Sequence, residues 1–156
     1  MSQQHPLPNL DTHAAITDAL YRGILGWDNY DHTMFDSAWA GEDVSINIDG
    51  TVHQGLSNIK KGLFAGIGPM DTQHIVSNVR VQHEGRSTAH VTSYFQAQHC
   101  PPGRGKDPDG PKYLVGGQYF VDLVRDQKDQ GVWRIKKWDL KIVWTQGDPS
   151  VMPSRE

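Results

Sequence analysis

Apolar positions along this chain follow two periods, and the change between them falls near residue 70. Asp11-Thr12 can cap a helix, and behind it Ala15, Ile16, Ala19, Leu20, Ile24 and Leu25 recur at helical spacing. Gly26 weakens the end of that pattern, and Trp27-Asp28-Asn29-Tyr30-Asp31 reads as a connection. A second short helix follows, with Met34, Phe35, Ala38 and Trp39 as its stripe and Gly41 as its stop. Residues 44–48 then alternate as a half-buried strand, Asp49-Gly50 marks a tight turn, and Thr51-Val52-His53 returns as a hairpin. A third helix starts at Gly55-Leu56-Ser57, buries Ile59, Leu63 and Phe64, and ends in the Gly66-Ile67-Gly68-Pro69 breaker.

Beyond the breaker the period is 2, and strands are predicted over 72–83, 87–99, 113–124 and 132–144. In the second of these, Ala89, Val91, Ser93, Phe95, Ala97 and His99 share one face, which is small and apolar until it ends in an imidazole. Strict alternation in the last puts Val132, Arg134, Lys136, Trp138, Leu140, Ile142 and Trp144 together. Gly116-Gly117 permits a close approach or a bulge. The proline- and glycine-rich stretch 100–111 reads equally as a flap or as a long hairpin connection. Residues 1–10 are expected to be a flexible arm, 11–147 one domain and 148–156 a frayed tail. Helices first and long antiparallel strands afterwards make an α+β domain, with the helices packed on one side of a strongly curved sheet and a pocket between them.

Totals narrow the partners. A net charge of -3 supplies no basic footprint for nucleic acid. No apolar run approaches the roughly 18 residues of a membrane helix. A single cysteine, Cys100, and a polar start without a secretory pattern predict a cytoplasmic protein. No short His/Cys/Asp cluster has metal-ligand spacing. Of eight histidines, His5, His13, His32, His53, His83 and His90 fall in turns, polar segments or solvated faces. His74, opening a sheet strand behind Thr72-Gln73, and His99, closing its neighbour, are the two placed to face the pocket.

The Trp27-Asp28 corner, Thr72-Gln73-His74, His99, Gly116-Gly117-Gln118-Tyr119 and Gly131-Val132-Trp133-Arg134-Ile135 together resemble the SnoaL-like branch of the nuclear transport factor 2-like superfamily, and within it the scytalone dehydratase-like proteins. The resemblance implies a cone-shaped α+β barrel, no organic or metal cofactor, and a homo-oligomer, dimer or trimer. It implies two acid–base histidines, which by motif position are His74 and His99, with Asp28 as the aspartate that orients the second. It places Gln118 and Phe120 among the pocket residues, Trp27 near one position of a tyrosine pair, and Tyr30 as a displaced candidate. Phe95, Trp138 and Leu140 are expected as pocket wall, while Tyr119, Trp133 and Trp144 are divided between core and a subunit interface on the opposite sheet face. The function expected is a lyase or isomerase (dehydratase, double-bond isomerase or cyclase) acting on a hydrophobic, polycyclic or polyketide-like metabolite. The alternative is a non-catalytic ligand-binding or assembly module of the same fold.

Overall fold

The computed structural model describes residues 5–154. Helix α1 (Thr12–Asp28) begins where the Asp11 carboxylate accepts the Ala14 amide at 2.8 Å, and it buries Ile16, Ala19, Leu20, Ile24 and Trp27. It does not stop at Gly26, so Trp27 and Asp28 are its last residues and not the connection expected. The reason is steric: a Cβ on Gly26 would lie 2.5 Å from the Phe35 amide nitrogen and 2.7 Å from its Cα. Glycine there lets α2 (His32–Ser37), capped by Asp31, tuck against the end of α1.

Arg22 holds this layer to the sheet. It is 3% exposed, and its guanidinium donates to Asp18 at 2.9 Å, to the Ser37 carbonyl, and to the Trp133 carbonyl at 2.8 Å. Truncating a buried charge bonded in this way leaves several partners unpaired, which is expensive.

Strands β1 (Ser45–Ile48) and β2 (Thr51–Gln54) form the predicted hairpin. Helix α3 (Leu56–Ile59) runs through a π turn (Lys60–Phe64) into α4 (Ala65–Ile67). The long strands are β3 (Asp71–Glu84), β4 (Thr88–Cys100), β5 (Tyr113–Asp126) and β6 (Val132–Gly147). The sheet order is β2-β1-β6-β5-β4-β3, antiparallel throughout except between β1 and β6. Its two edge strands do not meet, so the expected barrel is an open, mixed six-stranded sheet with helices on its inner face.

Two bulges in the β5–β6 ladder correct the alternation. The register shifts between Asp122 and Leu123, so Trp133 and Ile135 share the inner face with Trp138, Leu140 and Ile142. It shifts again at Gly116/Gly117, and Trp144 passes to the outer face, its ring over Gly116 where a Cβ would sit 2.1 Å away. Each extra residue flips every side chain beyond it, which strict alternation does not foresee. Residues 101–112 are a chain of turns tied to β3, since the Asp71 carboxylate accepts the Gly103 and Gly105 amides at 3.2 and 2.7 Å. Of the tail expected to fray, residues 148–154 are described and 155–156 lie outside the described residues. Pro149–Val151 make a 3-10 turn capped by Asp148, and Val151 and Met152 pack on the core. No helix among the described residues is long and apolar enough to cross a membrane.

Gly26→Ala sets a helix-propensity gain of about 1 kcal/mol against an overpacking loss of about 1–3 kcal/mol. The clash is with backbone and not with a movable side chain, so the loss wins. The expected outcome is a lower thermal midpoint; one at or above wild type would refute the close approach.

Candidate active site

Three side chains from three elements converge on the inner face. His74, near the start of β3, pairs across the strands with Ala97, and His99, at the end of β4, pairs with Thr72. The two imidazoles are therefore diagonal neighbours on one face, with ring centroids 5.6 Å apart. Asp28, the last residue of α1, meets them from the helix layer. Its Oδ2 accepts the His74 backbone amide at 2.8 Å, and its Oδ1 lies 2.6 Å from His74 Nδ1.

That geometry sets the tautomer. A carboxylate oxygen only accepts, so the Nδ1 beside it carries a proton, and in the neutral form of the ring Nε2 is the nitrogen with the lone pair. Trp27 lies stacked on the His74 ring, with centroids 5.8 Å apart and planes 20° apart. Trp138 meets Trp27 edge-on at 6.3 Å and Tyr119 edge-on at 5.0 Å, and Tyr119 lies flat on Phe95 at 4.2 Å. Trp27 thus walls one side of the His–Asp pair and continues into this aromatic cluster, and the two side chains keep 9% and 11% of their surface exposed.

His99 behaves differently. It is buried, and its Nδ1 has no hydrogen-bond partner among the described residues. Burial, and secondly the neighbouring His74, lower its pKa to about 4, against a smaller opposing pull from Asp28. At neutral pH His99 is an uncharged imidazole. The resemblance has Asp28 orienting the second histidine; the carboxylate instead holds the first, His74.

Of the expected pocket residues, Trp27, Phe95, Trp138 and the half-buried Leu140 are on the inner face or against it. Gln118 and Phe120 are not. They pair with Tyr94 and Thr92 on the outer face, where Phe120 is 38% exposed. Carrying a motif across the 101–112 loop with a slip of one residue exchanges the faces, and the residue brought inside is Tyr119. Alternation with the buried Val121 and Leu123 was the signal that could have found it. Tyr30 sits at the corner after α1 with its ring on Gly68, against His32 and Phe64, and is 40% exposed. No three His, Cys, Asp or Glu side chains among the described residues come together as a metal-ligand set.

Two hollows, of about 590 and 530 Å³, lie away from the His–Asp pair: one between residues 5–10, α1 and the β5–β6 turn, the other between α1 and β3 around Val79 and Val81. Neither is lined by His74, His99 or Asp28.

Comparison with known proteins agrees with this architecture. Residues 8–139 match the SnoaL-like domain. The terrestric acid biosynthesis cluster protein E of Penicillium crustosum is 42% identical over 144 residues, covering 92% of this chain and 91% of that protein. Among solved structures, a scytalone dehydratase-like protein from Novosphingobium aromaticivorans superposes with a TM-score of 0.73 at 22% identity, covering 87% of each chain. A type 2 hexachlorocyclohexane dehydrochlorinase superposes with a TM-score of 0.70 at 17% identity, covering 92% of this chain and 93% of its own. A domain match over most of the length and a full-length relative agree, and this chain belongs to the SnoaL-like family.

Proposed function

We propose that this protein is a cofactor-independent lyase or isomerase of secondary metabolism, in which His74 Nε2 removes a proton next to a carbonyl of a hydrophobic, polycyclic or polyketide-like metabolite. One observation carries the reading: Asp28 grips His74 at two points and leaves the other ring nitrogen as a free base beside an apolar wall. The carboxylate keeps the imidazole in its basic tautomer and stabilises the imidazolium formed when the proton arrives. Proton transfers of this kind contribute roughly 100- to 10,000-fold. The relative's name supports a biosynthetic setting, and the two structural neighbours carry the names of elimination enzymes.

Dehydration, double-bond migration and cyclisation share this first step. The C–H bond breaks, its electron pair moves towards the carbonyl to give an enolate, and the proton rests on His74. It then goes to a leaving hydroxyl or to another carbon. His99, neutral under these conditions, acts as a hydrogen-bonding imidazole and not as a cationic acid. The small exposure of the pair, 9% and 11% of the two side chains, favours a second reading, a binding or assembly module of the same fold, and the following experiment separates the two.

2-Tetralone, an enolisable bicyclic ketone, is incubated with the protein in heavy water, and deuterium uptake is followed by mass spectrometry. Wild type is expected to exceed the buffer rate, His74→Ala to fall back to it, and Asp28→Asn to lie between. Equal rates for folded wild type and His74→Ala would leave the binding module as the better account.

His99 also makes stability depend on pH. Its pKa is about 4 in the folded protein against the ordinary 6.5 of a solvated histidine, so between those values the unfolded chain binds more protons. Stability therefore falls as pH drops from 6.5 to 4, by on the order of 3 kcal/mol for a fully expressed shift. Denaturant melts across that window should show the slope, and His99→Phe should flatten it.

A further inference from the structure

The hollow of about 590 Å³ between residues 5–10, α1 and the β5–β6 turn has the size of a small-molecule site, about 300–1,000 Å³, and the proton chemistry uses none of its walls. Leu7, Leu10 and Trp133 give it apolar surface, and four aspartate and arginine side chains line it: Asp18, Arg22, Arg125 and Asp129. Arg22 pairs with Asp18 at 2.9 Å, while Asp129 and the neighbouring Asp126 pair with Arg134, which does not line the hollow. Arg125 is left without a carboxylate partner among the described residues. Its Nε donates to the Gly131 carbonyl at 2.9 Å, which holds the guanidinium over its own turn. Glycine permits this, because φ there is +73° and a Cβ would lie 2.6 Å from that Nε. Asp18 supplies the second half of the set. It is 8% exposed, one of its oxygens takes the Arg22 Nε–H, and the other accepts no hydrogen bond among the described residues. A lone surface arginine is ordinary. An arginine fixed by its turn, sharing a hollow with a nearly buried and half-paired carboxylate, is not.

The geometry points to a second ligand site, in which this hollow binds an apolar carboxylic acid that carries a hydroxyl group. The carboxylate sits on Arg125, the hydroxyl donates to the free oxygen of Asp18, and the body of the guest lies against Leu7, Leu10 and Trp133. Charge decides the sign of the guest. The Asp18–Arg22 and Asp129–Arg134 pairs each cancel, so the surplus at the hollow is the single positive charge of Arg125, and a monoanion matches it. A guanidinium held in one orientation meets a carboxylate through two parallel hydrogen bonds, which a point charge cannot reproduce. Asp18 only accepts, so what it lacks is a donor. A hydroxyl supplies one without bringing a second positive charge beside Arg22, whose guanidinium already neutralises this carboxylate. The site is independent of the acid–base reading, since neither His74 nor Asp28 lines this hollow.

Three probes on one ring system test this by calorimetric titration at neutral pH: 6-hydroxy-2-naphthoate, 2-naphthoate without the hydroxyl, and 2-naphthol without the carboxylate. Each is titrated into wild type, Arg125→Gln, Arg125→Lys and His74→Ala, with circular dichroism to check that every variant is folded. Wild type is expected to bind the hydroxynaphthoate about tenfold more tightly than naphthoate. Arg125→Gln should weaken both acids by about 10- to 100-fold and leave naphthol unchanged, with Arg125→Lys between the two. His74→Ala should bind all three probes as wild type does. Absence of binding by either acid, or equal affinity of the acids for folded wild type and Arg125→Gln, overturns the site. Acid binding that is lost in His74→Ala places the guest beside the His–Asp pair and overturns it as well. Equal affinity for the two acids removes Asp18 from the assignment.

Discussion

A single carboxylate joins the helix layer to the sheet at the point where chemistry is possible. Asp28 takes the backbone amide of His74 on one oxygen and its imidazole on the other, so helix end, strand start and ring orientation are fixed together. Everything that locates Asp28 therefore locates the His74 imidazole. Arg22, one and a half turns earlier on α1, ties the helix to α2 and β6 through hydrogen bonds that no substitute of similar size reproduces. Gly26 allows α2 close enough to buttress the last turn of α1. Trp27, adjacent to Asp28, then lays its ring on the imidazole that Asp28 holds. Two consecutive residues at a helix end thus supply the charge and one wall of the site.

The parts of this arrangement that could be read from the sequence are those governed by local period and turn chemistry. Helical spacing from Ala15 to Leu25, the Asp49-Gly50 turn and the alternation from Ala89 to His99 all correspond to observed elements. The inward face of His99 followed from that same alternation, and His74 is its diagonal neighbour on that face. The errors share one physical source. A β-strand assigns faces by parity, and a bulge or a slipped alignment reverses parity for everything beyond it. Two bulges redistribute Trp133, Ile135 and Trp144, and a slip across the 101–112 loop exchanges Tyr119 with Gln118 and Phe120. Helix ends were the other weakness. Nothing local tells that Gly26 is a packing device and not a stop, because the reason lies in Phe35 across an interhelical contact. The partner of Asp28 was likewise invisible, since choosing between two histidines takes the register of β3 against α1.

The interior around His74 is organised so that only one ionic interaction is needed. Asp28 brings one negative charge, shared between an amide and an imidazole N–H. His99 is driven to the neutral form by burial, and Tyr119 is held neutral by burial and by Asp28. A second fixed charge in this apolar setting would have to overcome a desolvation penalty of several kcal/mol. On the proposed reading, a proton taken from carbon by His74 would form the imidazolium against a carboxylate already in place and leave the negative charge on the substrate. That charge is the one unmatched quantity in the site, and the groups still without partners are hydroxyls, indole N–H donors and a neutral imidazole. Catalysis by differential binding asks for interactions that strengthen only as charge develops. On the proposed reading, neutral donors beside an oriented base would answer the charge that develops on a neutral carbonyl substrate, without the desolvation cost of a second buried ion.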